Sequence, residues 1–277
     1  MIKKSLISFA ILFGLHALFV LLNPSVGAAT NQWQDNLIKA QSFLYEDCTD
    51  TIMVGTSLSA RIIHDSIPSV TSISLGGCSV EDGLRIVNCK KRLPHFILVE
   101  DNFLLHNGNE ALVATLTEGT LSFIRGWVPS LREQYQPICL LASLILRSSN
   151  LNSHASHAVV DMDMLNAGIA QFLKEDVKID EEDLEHRMAD IQKLIGDLEQ
   201  RGVKFVFFEM PVNERLYQMY KFSQIRDVRE RAYPASKYCY LPSDTTQYLT
   251  TDGLHLSFVE QQVFSHYFKK TLAEQNF

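Results

Sequence analysis

The amino-acid sequence predicts an α/β domain built around a parallel β-sheet. Three short apolar runs, at positions 51–54, 70–75 and 96–99, each stop at a glycine or a polar residue, and segments with helical character lie between them. Continuous apolar runs are typical of parallel strands, because helices cover both faces of such a sheet. A chain of 277 residues, 46% of them hydrophobic, is long enough to bury one substantial core. One main domain is therefore expected.

A targeting segment precedes that domain. Lys3 and Lys4 are followed by an uncharged stretch rich in Leu, Phe, Ile and Ala, and small residues at positions 26–28 offer a cleavage site. Residues 1–30 are therefore interpreted as a cleaved signal peptide. The apolar stretch is also close to the ~20 residues that span a bilayer, so an uncleaved membrane anchor is the alternative. Both interpretations place residues 31–277 outside the cytoplasm, in the periplasm or another extracytoplasmic compartment.

The first predicted elements of the domain are a helix and a strand. Trp33 and Leu37 have helical spacing, which predicts an amphipathic helix over 31–45. The apolar run 51–54 stops at Gly55 and is the first predicted strand. The domain is therefore expected to begin close to residue 31.

Two further strand–turn–helix patterns follow. Ser57 lies in a tight turn between the first strand and a helix predicted over 58–67. The second strand, 70–75, ends at a glycine pair that includes Gly77, and a helix is predicted over 80–89.

The third strand, 96–99, leads to a polar segment that contains Asn102. In open α/β sheets, ligands bind just outside the carboxyl ends of the strands. Asn102 has the same place after the third strand as Ser57 has after the first and Gly77 after the second. These three residues are therefore candidates for one functional site.

A long segment separates the third strand from the fourth. Residues 103–183 are interpreted as a helical insertion, with helices around 110–123 and 130–146, because loops of such length are uncommon. The insertion is expected to form a cap or a wall of the substrate site. The pattern then resumes with a helix over 182–201, a strand over 203–208, a short strand over 238–241 and a last helix over 257–272.

Charge and cysteine content exclude several classes of partner. The net charge of −7 argues against a nucleic-acid partner, because phosphate binding needs concentrated Lys and Arg. The five cysteines form no CxxC pair or cluster with His at metal-ligand spacing, so no metal or other cofactor is expected. His154 and His157 lie in a Ser/Asn-rich stretch, which favours a solvated loop over a metal site. Cys78, next to Gly77, is either a reactive thiol or a small buried residue.

An Asp-Gly-Leu-His segment before the last helix suggests catalytic chemistry. Gly253 permits a sharp turn, which can direct the His255 imidazole into a cleft while the Asp252 carboxylate holds its other nitrogen. A serine hydroxyl is a poor nucleophile unless a base takes its proton. Ser57 is therefore the candidate nucleophile, His255 the general base and then acid, and Asp252 the residue that orients His255.

Acyl transfer through a serine also needs hydrogen-bond donors for the oxyanion. The candidates are the backbone N–H groups of Ser57 and Gly77 and the side chain of Asn102, which follow the three predicted strands. Gly76 is a rival to Gly77.

Four blocks of this sequence resemble the SGNH, or GDSL-like, hydrolase superfamily. The resemblance extends from about Asp50 to Leu272 and implies a flavodoxin-like three-layer α/β/α sandwich with a five-stranded parallel sheet. It also implies that the first-block Ser and the last-block Asp and His are catalytic, and that the second-block Gly and third-block Asn donate to the oxyanion. The blocks are Gly55-Thr56-Ser57-Leu58-Ser59, Gly77, Asn102 and Asp252-Gly253-Leu254-His255.

Some residues depart from the family pattern. Thr56 replaces the usual Asp of the first block, and Glu100 and Phe103 replace the Gly and Asp that flank the third-block Asn. With its membrane signal and long insertion, the chain resembles the bacterial envelope proteins of this family that acylate polysaccharides. The resemblance thus implies an O-acetyltransferase or O-acetylesterase that acts on an envelope glycan through an acyl-Ser57 intermediate. A transferase would need a membrane acyltransferase as a partner, whereas an esterase would not.

Two other functions are compatible with the sequence. A non-catalytic binding or assembly protein of the envelope can keep this fold without the activity, because fold does not determine function. A lipase or thioesterase would need a wide apolar acyl cleft, which the segment 138–146 could line.

Overall fold

The computed structural model of the chain describes residues 2–22, 29–149 and 159–275. The residues at 26–28, His154 and His157 lie outside this part, so the expectations for them stay predictions. The helices and strands are α1 (Ile2–Leu21), α2 (Gln32–Tyr45), β1 (Thr51–Gly55), β2 (Val70–Ser74), α3 (Val80–Asn88), β3 (Phe96–Glu100), α4 (Glu110–Thr117), α5 (Gly119–Trp127), α6 (Pro137–Ser149), α7 (Met162–Lys174), α8 (Glu181–Gln200), β4 (Lys204–Phe208), α9 (Glu214–Tyr217), α10 (Tyr220–Ala232), β5 (Cys239–Tyr240) and α11 (Phe258–Glu274).

The five strands form one sheet in which every neighbouring pair is parallel. Their order, β2-β1-β3-β4-β5, is the flavodoxin-like order of a doubly wound sheet. Helices cover both faces, so the predicted fold class, a three-layer α/β/α sandwich with a five-stranded parallel sheet, is confirmed.

Each of the strands β1 to β4 contributes to two separate hydrophobic cores. Ile52 and Val54 of β1 pack in the layer that holds α2, α3 and α8, whereas Met53 between them packs in the layer that holds α7 and α11. All three side chains are fully buried. This explains why the strands are continuous apolar runs, since both faces of the sheet are covered.

The predicted helix over 58–67 is wrong. Two 3-10 turns, Ser59–Arg61 and His64–Ser66, occupy this segment. Two backbone N–H groups of this segment have tertiary acceptors instead of helical ones. The N–H of Ser59 donates to the Glu100 carboxylate at 3.0 Å, and that of Ile63 donates to Ser265 Oγ at 2.8 Å.

The insertion between β3 and β4 is helical, but its helices differ from those predicted. The expected helix over 110–123 is divided into α4 and α5, because Glu118 has an extended backbone with ψ 155°. The expected helix over 130–146 begins only at Pro137, after two 3-10 turns at Pro129–Leu131 and Glu133–Tyr135. Neither α7 nor α10 was expected from the sequence.

The N-terminal helix α1 stands apart from both cores. Its 20 residues are long and apolar enough to cross a membrane, and nearly all of them are exposed. Near its carboxyl end Val20 is buried, and the helix contacts the 3-10 turn Pro129–Leu131. The helix is thus consistent with a signal peptide or a membrane anchor.

Candidate active site

Ser57, His255 and Asp252 form a continuous hydrogen-bonded chain. Ser57 lies in the turn directly after β1, and His255 lies just before α11. His255 Nε2 is 2.8 Å from Ser57 Oγ, and His255 Nδ1 is 2.7 Å from Asp252 Oδ2. The structure thus brings together the three residues that the sequence predicted as nucleophile, base and orienting acid, although 198 positions separate Ser57 from His255.

The Asp252–His255 loop is a tight turn that the Asp252 carboxylate closes. Asp252 Oδ1 accepts hydrogen bonds from the backbone N–H groups of Leu254 at 2.9 Å and His255 at 2.8 Å. Gly253 has φ +102°, a left-handed conformation that side chains disfavour, and a Cβ there would lie 2.8 Å from atoms of Ile169 and Leu216. The loop geometry therefore requires glycine at this position.

The charge of Asp252 determines the tautomer of His255. Partial burial would raise the pKa of Asp252, but hydrogen bonds from the His255 ring and from the two backbone N–H groups outweigh it and hold the pKa at about 2. An ionised carboxylate can only accept hydrogen bonds. The proton of a neutral His255 ring therefore lies on Nδ1, and Nε2 is free to accept the proton of Ser57.

The Glu100 carboxylate, at the end of β3, supports the turn that carries Ser57. It accepts hydrogen bonds from Thr56 N at 2.9 Å, from Thr56 Oγ1 at 2.6 Å and from Ser59 N at 3.0 Å. Glu100 is fully buried, and a Cβ at Gly55 would lie 2.6 Å from its Oε2. Thr56 and Glu100, two departures from the family pattern, are thus direct partners. Sequence reasoning missed this role, although a charged residue at the end of an apolar strand was a visible signal.

Gly77, unlike its neighbour Gly76, has a backbone N–H that is available as an oxyanion donor. The Gly76 N–H donates to Asn36 Oδ1 at 3.0 Å. Among the residues that the structure describes, the N–H groups of Ser57 and Gly77 have no acceptor, and both residues line one cavity. These two N–H groups are therefore free to bind an oxyanion.

Asn102 pairs with the loop that follows β4. Its Nδ2 donates to the Met210 carbonyl oxygen at 2.8 Å, and its Oδ1 accepts from the Met210 N–H at 2.7 Å. Asn102 is not among the described residues that line the cavity beside Ser57. Only the second N–H of its amide is left for an oxyanion, so that role stays a prediction.

The cavity beside Ser57 has a volume of about 200 Å³. Phe103 lines it from the loop after β3, Phe172 from α7 and Lys221 from α10. Residues of the helical insertion therefore form part of the wall of this cavity. The cavity continues to Gly77 and Cys78.

Cys78 has the character of a buried structural thiol. It is 2% exposed, and burial, assisted by the nearby Asp82, raises its pKa to about 12. Since the thiolate is the nucleophilic form of cysteine, Cys78 is unsuited to attack a substrate at neutral pH. All five cysteines of the chain are free.

A larger groove adjoins the Asp252–His255 loop. The N–H of Asn213, one of the residues lining it, donates to the Gly253 carbonyl oxygen at 2.8 Å. The groove has a volume of about 620 Å³ and is mostly lined by polar side chains, with Tyr217 and Tyr248 as aromatic ones. It is therefore a second place where a substrate could bind near the site.

Comparison with family models, curated proteins and solved structures finds no match to this chain. Among the described residues, no group of three or more His, Cys, Asp or Glu side chains is arranged to hold a metal ion. The resemblance to the SGNH hydrolases therefore stays a prediction, which rests on the sequence blocks.

Proposed function

We propose that this protein is an exported serine acyl-ester enzyme that acts on O-acetyl groups of an envelope glycan through an acyl-Ser57 intermediate. It would be an O-acetyltransferase or an O-acetylesterase. The observation that carries the proposal is the contact chain from Ser57 Oγ through the His255 ring to Asp252, with distances of 2.8 and 2.7 Å. Such a chain supplies the base that a serine nucleophile needs.

In the proposed reaction, His255 Nε2 takes the Ser57 proton while Ser57 Oγ attacks the ester carbonyl carbon. The N–H groups of Ser57 and Gly77 stabilise the oxyanion. His255 then gives its proton to the departing alcohol, which leaves Ser57 acylated. In the second half, His255 takes a proton from water or from a sugar hydroxyl, whose oxygen attacks the acyl group, and finally returns a proton to Ser57. Water makes the protein an esterase, and a sugar makes it a transferase.

The size of the cavity supports a short acyl group over a fatty one. Its volume of about 200 Å³ is below the roughly 300–1,000 Å³ of typical small-molecule pockets. Ile138 and Leu141, which belong to the apolar segment considered for a lipase cleft, are more than half exposed. Neither is among the described residues that line the cavity.

Two features support an envelope glycan as the acceptor or substrate. The apolar helix α1 would export the body of the protein or hold it at a membrane. The groove of about 620 Å³ beside the catalytic loop presents amide, hydroxyl and aromatic side chains, as a polyhydroxylated ligand would require. In the transferase case, a membrane acyltransferase is the proposed partner that supplies acyl groups.

A non-catalytic envelope binding protein is the second candidate. The observation that favours it is the pairing of the Asn102 amide with Met210, because it leaves the proposed oxyanion site with fewer free donors. Loss of one donor typically costs 10²–10³-fold in rate, about 3–4 kcal/mol. Activity measurements separate the two candidates.

The test combines a chromogenic acetyl ester with a fluorophosphonate probe of active serines. Ser57→Ala and His255→Ala are compared with the native protein and with Ser236→Ala, which changes an exposed serine. We expect the probe to label the native protein and Ser236→Ala but not Ser57→Ala, and turnover to fall at least about 10³-fold in the two site variants. Equal labelling of Ser57→Ala would refute the nucleophile assignment. A folded native protein without labelling or turnover would support the binding protein.

A further inference from the structure

The cavity beside Ser57 carries positive charge in an acidic protein. The chain has a net charge of −7, yet Lys221 lines this cavity and no Asp or Glu is among the described residues that line it. The neighbouring groove has the opposite character. Glu209, Glu214 and Asp244 line it, with no Lys, Arg or His among its described lining residues. The two spaces therefore favour different ligands.

Hydrogen bonds from backbone N–H groups hold Lys221 at the cavity, so its ammonium group is available to a ligand. The N–H groups of Tyr220 and Lys221 donate to the Asp176 carboxylate at 2.9 and 3.3 Å, which anchors the start of α10. Lys221 Nζ lies 5.8 Å from the centre of the Phe103 ring, which lines the same cavity. Phe103 is itself fixed against Phe222 of α10, with ring centres 5.2 Å apart. The cation is thus positioned between α10 and the loop after β3.

Within the described part of the chain, Lys221 Nζ has no carboxylate within ion-pair distance, 4.0 Å. Three of the less exposed arginines have carboxylate partners, whereas Arg125 donates to the backbone carbonyl oxygen of Leu131. Arg132 pairs with Glu46, Arg226 with Glu209 and Arg229 with Asp101. Lys221 is half-buried and has no internal carboxylate, so its charge is available to an anionic ligand in the cavity.

We propose that Lys221 binds a carboxylate of the substrate, so that the enzyme favours esters with a carboxylate a few bonds from the reacting carbonyl. This inference rests on the proposed acyl-Ser57 chemistry, and it extends the acyl group from acetyl to short acyl groups that carry a carboxylate. The shared cavity of about 200 Å³ keeps Lys221 close to Ser57 and suits a short dicarboxylic half-ester such as a hemisuccinyl group. The acidic groove disfavours an anionic alcohol component. The acyl group is therefore the favoured carrier of the carboxylate.

The test compares esters that differ only in charge. The kcat/KM of a nitrophenyl hemisuccinate is measured against that of its methyl-capped ester, which is neutral and similar in shape. We expect the charged ester to be favoured at least about tenfold at low salt and less at high salt, because screening weakens the attraction. The preference should disappear in Lys221→Met, persist in Lys221→Arg, and persist in Lys193→Met, which changes an exposed lysine.

A second arm places the carboxylate on the alcohol. The acetyl ester of 4-hydroxybenzoate is compared with the same ester of methyl 4-hydroxybenzoate. A Lys221-dependent preference in this arm alone would still support an anion site at Lys221 and assign the carboxylate to the alcohol. Absence of a Lys221-dependent preference in both arms would overturn the inference.

Binding is tested independently of turnover. Monomethyl succinate is titrated calorimetrically into Ser57→Ala, and we expect Lys221→Met in this background to weaken the affinity about tenfold. Equal affinity in the two proteins would contradict the proposed anion site. Turnover of neutral esters through Ser57 without any charge preference would overturn only this inference. Turnover that survives Ser57→Ala would instead refute the proposed function.

Discussion

The substitution Glu100→Gln tests whether the buried carboxylate holds the nucleophile turn in place. Both backbone N–H donors, from Thr56 and Ser59, bond to Glu100 Oε2, and the Thr56 hydroxyl donates to Oε1. A glutamine can keep its oxygen at the Oε2 position, where it accepts from the two N–H groups. Its NH₂ group must then lie at the Oε1 position, against the Thr56 hydroxyl. That hydroxyl already accepts from the Leu58 N–H at 3.3 Å. Its own proton would then lose its acceptor.

The size of the effect follows from these three hydrogen bonds. A hydrogen bond to a charged acceptor contributes about 1 kcal/mol more than a neutral one, so Glu100→Gln should lower the free energy of unfolding by about 3 kcal/mol. Glu100→Ala should cost more, because it leaves two buried N–H groups without acceptors. A displacement of Ser57 by about 1 Å can cost 10²-fold in rate, so we expect kcat/KM to fall about 10- to 100-fold in Glu100→Gln.

The assay is urea unfolding together with acetyl-ester kinetics and the rate of probe labelling. Glu182→Gln is the matched control, since Glu182 is exposed on α8, and Thr56→Val removes the hydroxyl from the other side of the contact. The double variant should show coupling between Thr56 and Glu100. Native stability and native kcat/KM in Glu100→Gln would show that the Glu100 charge does not hold the turn in place. A loss of stability with unchanged labelling of Ser57 would limit Glu100 to a structural role.

Three further predictions follow from other parts of the molecule. Arg229→Met should lower the free energy of unfolding, measured by urea titration, by about 3–5 kcal/mol. Burial already raises the pKa of Asp101, and the variant leaves this buried carboxyl without its charged partner. Unchanged stability would contradict this. The pKa of Asp252 is lowered to about 2 in the folded protein. The contribution of the Asp252 carboxylate to stability is therefore present above the unfolded pKa of about 3.9 and is lost as the pH falls through about 2. The free energy of unfolding, measured across this range, should depend less on pH in Asp252→Asn. Cys78→Ala should retain ester turnover, because the raised pKa of Cys78 keeps it a thiol. The native protein should also retain turnover after a thiol reagent has modified the exposed Cys89 and Cys239. Loss of activity in either experiment would implicate a thiol.

The sequence predicted the strands well because their physical signal is local. β1, β3 and β4 consist mostly of buried apolar residues, whereas β2 also contains a threonine and two serines. The bounds of each of these four strands differ from the predicted ones by one residue, at one end only. β5 is a weaker case, since only Cys239–Tyr240 pair with β4. The segment 58–67 carried helix-like residues, but its N–H groups bond to Glu100 and Ser265, partners that no local pattern reveals.

The candidate site was predictable only where short motifs encode it. The Asp-Gly-Leu-His spacing indicated the contact between Asp252 and His255, which lie three residues apart. The support of the turn by Glu100 depends on β3 lying next to β1, and the position of Lys221 depends on α10. The apolar stripe Phe222, Ile225 and Val228 of that helix has helical spacing, but charged residues between them obscure it. Contacts of this kind follow from the packing of distant elements.

The most direct test of the central claim is to trap the acyl-enzyme. The native protein is mixed with an excess of a chromogenic acetyl ester, quenched rapidly in acid and digested, and the peptides are analysed by mass spectrometry. The expected result is one added acetyl group on Ser57, and none at this position in His255→Ala, in which the serine lacks its base. Acetylation of another residue in its place, or an equal extent of acetylation and turnover in Ser57→Ala, would contradict it.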